Sequence, residues 1–456
     1  MFDAGDKMNI GVSQLIFDRL RKDGNKIVLW EKGRKISANQ ILERVSITKQ
    51  LLIDSNIEIG STVGFKGDYG LDTISTFLAL FELKAIAVPF SNESLLEIPK
   101  LSNVIGVEFW FDIAKQQIQA STKVKSANHF LVDKLRSISH PGLIIFTSGS
   151  SGMPKAILHD VDRVASKFIV RRNGWRTILF LSMDHFGGFN TLLASLLYEG
   201  EGVCIESRFP TDVCKAIELS GAELLPTTPT FLSILLASGV SSKFDLSTIK
   251  LVTYGAEPMP ASLLKKLPSI FPNAKFKQTY GLSEVGVLHS ASPSEGSLWL
   301  RVGGQGFETK VVNSLLYIKS STSMLGYLNA TSPIDDDGWM NTGDVVEQKD
   351  GLIKIVGRQS DVINVGGQKV FPTEVEEVLL ELSQIIEASV FSIKHPVLGQ
   401  VVGARLSLKA GVNKDECLQK AKEYCKQRLQ KYKIPMRFQV VEIGEHSSYR
   451  GKKIRL

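Results

Sequence analysis

Between Pro141 and Thr279 short apolar runs alternate with helical patterns, and this alternation restricts the fold more than any other feature of the chain. Gly142-Leu143-Ile144-Ile145-Phe146 reads as a buried strand bounded by a turn. Val161, Val164, Ala165, Phe168 and Ile169 then recur at helical spacing. Further strands are predicted over 177–181, 202–206, 223–225, 249–253 and 274–278, with helical segments between most of them. Such a pattern implies a layered α/β domain with a mostly parallel sheet. Sheets of this kind bind ligands beyond the carboxyl ends of their strands. The polar and glycine-rich segments of this chain lie at those ends.

A chain of 456 residues is too long for one ordinary core, so at least two domains are expected. A break falls near residue 357. Lys349-Asp350-Gly351 predicts a hairpin turn, and Gly357-Arg358-Gln359-Ser360-Asp361 a polar joint. Beyond it lies an α+β region in which Pro372 opens a helix with Val375, Val378, Leu379 and Leu382 on its inner face. The expected division is a large N-terminal domain over 1–358 and a small C-terminal domain over 359–456, with a hinge near Ser360.

Hydrophobic residues make up 43% and charged residues 22%, the balance of a soluble globular protein. No apolar run reaches the ~18 residues that span a bilayer. Residues 1–7 lack the basic start and apolar stretch of a signal peptide. Cys204, Cys214, Cys417 and Cys425 show no metal-binding spacing and read as free thiols of a reducing, cytoplasmic environment. The net charge of +7 is uneven: residues 414–455 hold twelve Lys/Arg against five Asp/Glu and account for the whole excess. This tail suits a polyanion or an acidic protein, or it is simply a solvated helix face. No aromatic residues alternate with the basic ones, so nucleic acid is not expected.

Thr147-Ser148-Gly149-Ser150-Ser151-Gly152-Met153-Pro154-Lys155 directly follows a strand and precedes a helix by a few residues. Its glycines allow backbone N–H groups to approach an anion, its hydroxyls add donors and Lys155 adds charge, so it reads as a phosphate-cradling loop. It lacks the Walker A spacing.

This loop resembles the signature of the adenylate-forming superfamily of acyl-CoA synthetases, carrier-protein adenylation domains and luciferases. Four further segments match in order: Gln278-Thr279-Tyr280-Gly281-Leu282-Ser283-Glu284, Gly338-Trp339-Met340-Asn341-Thr342-Gly343-Asp344, Gly357-Arg358 with Gly366-Gly367, and Gly451-Lys452-Lys453-Ile454-Arg455. The resemblance covers nearly the whole chain and implies a large N-terminal domain with a small rotating lid. It implies ATP and Mg²⁺, with Glu284 as metal carboxylate, since a hard cation takes oxygen ligands. Tyr280 and Gly281 would line the adenine, Asp344 and Arg358 would bond the ribose, and Gly255-Ala256-Glu257 would border the nucleotide. Lys452 would reach the reacting carboxylate and α-phosphate, with Lys453 as its rival. Ser360 takes the hinge position, where the family more often has an acidic residue or lysine. Ser314 stands where a glycine is usual and affects a turn.

His185-Phe186-Gly187-Gly188-Phe189 corresponds to the aromatic gate of the acyl pocket, with Phe231, Val285, Val287 and Leu288 as apolar lining or plain core. No motif-linked aspartate suits an amino acid's ammonium, so an apolar acyl or aryl carboxylate is expected. Gly366-Gly367 resembles the passage for a pantetheine arm, which coenzyme A and an acyl carrier protein share. The resemblance thus implies an acid–thiol ligase with coenzyme A as acceptor. The alternatives are a carrier-protein ligase or a non-catalytic acyl-adenylate-binding protein.

Overall fold

A computed structural model describes residues 11–92, 101, 105–121, 129–147, 154–170, 172–294, 296–443 and 445–446. Ser148, Gly149, Ser150, Ser151, Gly152 and Lys452 therefore lie outside the described residues. The chain forms two compact units, one of Met1–Pro226, Gly281–Val287 and Lys319–Gly338, the other of Thr227–Tyr280, Leu288–Ile318 and Trp339–Leu456. Tyr280 and Glu284, four residues apart in one motif, thus belong to different units.

The first unit holds a seven-stranded sheet in the order Gly326–Tyr327, Lys155–Asp160, Gly142–Thr147, Ile86–Phe90, Thr62–Lys66, Phe109–Asp112, Gln117–Ala120. From Gly142–Thr147 to Phe109–Asp112 neighbours run parallel, and the outer pairs run antiparallel. Ile86–Phe90 is buried along its whole length, as a central parallel strand covered on both faces requires. Helices Ala38–Asp54 and Leu71–Glu82 deliver Ile41, Val45, Phe77 and Phe81 to the core, where Phe77 meets Phe65 edge-to-face at 5.0 Å. Of a further seven-stranded sheet, this unit holds Arg34–Ser37, Ile27–Glu31, Glu201–Val203 and Arg176–Ile178 in that order, with Leu224 beside Thr177.

Between the glycine-rich segment and the helix expected a few residues on lies a strand: Lys155–Asp160 runs antiparallel to Gly142–Thr147, and the helix begins at Val161. Ala156, Ile157, Leu158 and His159 are all buried, and so short a buried run shows no alternation to distinguish it from helix.

In the second unit Leu251–Tyr254 and Lys275–Gln278 pair in parallel. A four-stranded sheet orders Phe307–Val312, Leu315–Ser320, Trp339–Lys349 and Leu352–Arg358. Asp350 and Gly351 make the expected turn between the last two, both with positive φ. The C-terminal sheet orders Gln368–Val370, Ile363–Val365, Gly399–Leu408 and Ile385–His395, with Arg437–Val440 parallel to Gly399–Leu408. Helices Pro372–Leu380 and Lys414–Arg428 pack Val375, Leu379, Cys417, Ala421 and Cys425 against Val390 and Leu406. All four cysteines are buried free thiols. Among the described residues no helix is long and apolar enough to cross a membrane.

Candidate active site

In the first unit the sequence-predicted residues Thr147, Lys155 and Glu284 lie about the paired strands Gly142–Thr147 and Lys155–Asp160. Thr147 and Lys155 are direct cross-strand partners, so the glycine-rich loop springs from two adjacent strands. Asn329 holds the exit of that loop: its Oδ1 accepts from the Ala156 N–H at 2.8 Å and its Nδ2 donates to the Pro154 carbonyl at 2.9 Å. Two residues earlier, Tyr327 places its ring 4.8 Å from the Lys155 ammonium. The Tyr327 hydroxyl donates to Glu284 Oε1 at 2.7 Å. The Glu284 carbonyl in turn accepts from the Met324 N–H at 2.7 Å, so the carboxylate sits on a tethered backbone.

Behind Lys155 on the same strand, His159 is fully buried and its ring lies 4.8 Å from that of Phe186. Burial holds its pKa down at about 3, so the imidazole is neutral. Phe186 is itself buried, and a side chain at Gly286 would come within 3.6 Å of it. His185 is the N-cap residue of helix Phe186–Leu197 and lies 3.8 Å from Asp184, which also accepts from Ser182 Oγ at 2.6 Å and the Ser91 N–H at 3.1 Å. Gly187 leaves only 3.2 Å to Leu181, and at Gly188 the Ser182 carbonyl excludes any side chain. Val285 is buried and Val287 is half-buried. Lys167 donates to the Val287 carbonyl at 3.2 Å and to Asn190, and burial lowers its pKa to about 7.

In the second unit the parallel strands Leu251–Tyr254 and Lys275–Gln278 end side by side at Gly255-Ala256-Glu257 and Thr279-Tyr280. A side chain at Gly255 would clash with Thr279, and Ala256 adopts a positive φ of 68°, so this turn is tightly prescribed. Glu257 accepts from Thr230 through its N–H at 3.1 Å and its hydroxyl at 2.6 Å. The Tyr280 hydroxyl donates to Asp344 Oδ2 at 2.5 Å, and Arg358 Nε donates to Asp344 Oδ1 at 3.1 Å. Asp344 and Arg358 are opposite each other in antiparallel strands. Desolvation raises the Asp344 pKa despite the opposing pull of Arg358 and Tyr280. Phe231 and Leu288 are buried.

Gly366 and Gly367 form the two-residue turn between Ile363–Val365 and Gln368–Val370, and both have positive φ. The turn itself therefore calls for glycine at both positions. Ser360 is exposed within the short turn Gln359–Asp361 and donates to Asp361 at 2.9 Å. His446 is buried with Ser407 and Ser389 each 2.9 Å from its ring nitrogens, which ties the chain down six residues before Lys452.

Among the described residues no cluster of three His, Cys, Asp or Glu could hold a metal. Glu284 thus offers a single carboxylate, which fits Mg²⁺ bound chiefly by nucleotide phosphates and water. No sequence motif marks Tyr327, Asn329, Thr230 or His159. Tyr327 lies in a two-residue strand, Gly326–Tyr327, and His159 in an apolar run, so both read equally as core in the sequence.

Residues 91–327 match the AMP-binding enzyme family, and residues 374–447 match the AMP-binding enzyme C-terminal domain. The chain is 24% identical over 435 residues to a 2-succinylbenzoate–CoA ligase of Bacillus cereus, covering 88% of each. Its fold resembles an anthranilate–CoA ligase solved with anthranoyl-AMP, with a TM-score of 0.81, 19% identity and coverage of 97% and 95%. It also resembles the o-succinylbenzoate–CoA synthetase of Bacillus subtilis solved with its acyl-adenylate, with a TM-score of 0.77, 20% identity and coverage of 97% and 96%.

Proposed function

The chain belongs to the AMP-binding enzymes, and from that premise we propose that it is an acid–thiol ligase working through an acyl-adenylate. A carboxylate oxygen attacks the α-phosphorus of ATP and pyrophosphate leaves. A thiol, that of coenzyme A, then attacks the acyl carbon and AMP leaves. Neither step needs the enzyme to supply an oxidant, and the first is limited by charge repulsion more than by proton transfer.

The observation that carries the reading is the hydrogen-bonded chain Tyr280–Asp344–Arg358, whose members come from three separate motifs. A carboxylate held beside a phenol and a guanidinium suits the paired hydroxyls of a ribose, with Tyr280 and Gly281 beside the base and Gly255, Ala256 and Glu257 along its border. Lys155 and the loop Thr147, Ser148, Gly149, Ser150, Ser151, Gly152 serve the phosphates. Glu284 holds Mg²⁺, which neutralises phosphate charge. Lys452 serves the reacting oxygen, Gly366 and Gly367 border the thiol arm, and Ser360 is the hinge between the domains 1–358 and 359–456. For the acid we favour an aryl carboxylate. The relatives named above act on 2-succinylbenzoate or anthranilate, and His185, Phe186 and Gly187 offer an aromatic wall.

The test is pyrophosphate release with a panel of aryl and alkyl acids, followed by thioester formation with coenzyme A. Release with an aryl acid and acylation of coenzyme A are expected. No release with any acid would overturn the reading. Release with acylation of a carrier protein alone would transfer the acceptor role to that partner.

A further inference from the structure

Lys155 and Glu284 bring opposite charges to the same small region, yet among the described residues neither forms an ion pair. Both are instead engaged by one side chain. The face of the Tyr327 ring receives the Lys155 ammonium at 4.8 Å, and its hydroxyl donates to Glu284 Oε1 at 2.7 Å. A phenol is suited to both contacts at once, since its face attracts cations and its O–H binds anions. The ring is well placed to hold this arrangement. It is buried, its strand Gly326–Tyr327 is the margin of the sheet antiparallel to Lys155–Asp160, and Asn329 clasps the backbone on either side of Lys155.

We propose that Tyr327 is a positioning residue that keeps Lys155 and Glu284 apart, so that the ammonium remains available for a polyphosphate and Glu284 Oε2 for the cation that accompanies it. Direct pairing of the two would neutralise both. The inference rests on the nucleotide-binding reading above but assigns a role that reading does not contain. Hydrogen bonds to a metal-binding carboxylate orient it, and their loss usually weakens metal binding by ~10–100-fold.

The variants are Tyr327→Phe, which keeps the ring face and removes the hydroxyl, and Tyr327→Leu, which removes both. Calorimetric titration of ATP at a series of Mg²⁺ concentrations reads binding without turnover. Tyr327→Phe should require about 10-fold more Mg²⁺ for half-maximal ATP binding while its metal-free ATP affinity stays that of the wild type. Tyr327→Leu should also lose metal-free affinity. In a Glu284→Gln background the Tyr327→Phe shift should vanish, because both changes act on one contact. A wild-type Mg²⁺ requirement in Tyr327→Phe, or a shift that persists with Gln at 284, would overturn the proposal. Should the wild type release no pyrophosphate with any acid, the enzymatic reading fails, while these titrations still decide the role of Tyr327.

Discussion

His159, on the strand that carries Lys155, is fully buried against the ring of Phe186, and the Ser283 backbone lies beside it without meeting hydrogen-bond geometry. An imidazole so placed resists protonation, and its pKa of about 3 lies well below the ordinary 6.5. The unfolded chain therefore binds a proton between these values that the folded chain refuses. His159 imposes no such cost above pH 6.5, and stability falls as the pH drops from 6.5 toward 3, by about 1.4 kcal/mol per unit of pKa difference. Replacing His159 with Phe should flatten that part of the stability profile. Urea midpoints at pH 7 and pH 4 check it: an unchanged difference between the two pH values would show that the ring is solvated. Residues of this kind were hidden in the sequence for a physical reason. Tyr280, Asp344 and Arg358 stand out in the sequence only because each sits in a segment that resembles a family signature, and the structure joins the three by hydrogen bonds. His159 and Tyr327 lie in apolar runs, where only the fold shows which groups they touch.

At the scale of elements, the turns were the most legible features. Asp350-Gly351 sits where expected, and its conformation explains its residues: Gly351 has φ of 72° and open space around a would-be side chain. Asn313 and Ser314 make the equivalent turn between Phe307–Val312 and Leu315–Ser320, with φ of 51° and 61°. Serine in this region carries conformational strain that glycine does not. Ser314→Gly should therefore raise stability by up to about 1 kcal/mol, the relief being partly offset by unfolded-state entropy, and Gly351→Ala should lower it by a similar amount. Shifts of both in the same direction in chemical denaturation would contradict this account. The strand Lys155–Asp160 was less legible, since burial on both faces erases the alternation that announces a strand. The glycine-rich segment, which reads in the sequence as strand–loop–helix, therefore has a second strand between loop and helix.

For the molecule as a whole, the proposed ligase cycle asks the segment beyond Ser360 to serve two half-reactions in turn. Lys452→Ala should slow adenylate formation by about 100-fold or more, the usual loss when one charge stabiliser is removed, and spare thioester formation from supplied acyl-AMP. Ser360→Pro should do the reverse, because fixing φ near −65° restricts the hinge. Assaying the halves separately decides it, and equal losses in both would show that the C-terminal segment does not alternate. The same segment gives the protein an uneven charge. Residues 414–455 hold all of the net +7, leaving the rest of the chain balanced. Arg428 and Lys433 are tied to Glu381 and Glu374, whereas Lys414, Lys422, Lys426, Lys431 and Arg437 stand exposed. On a cation-exchange resin the protein should therefore be retained through this segment, and a fragment freed of it by limited proteolysis should pass into the flow-through.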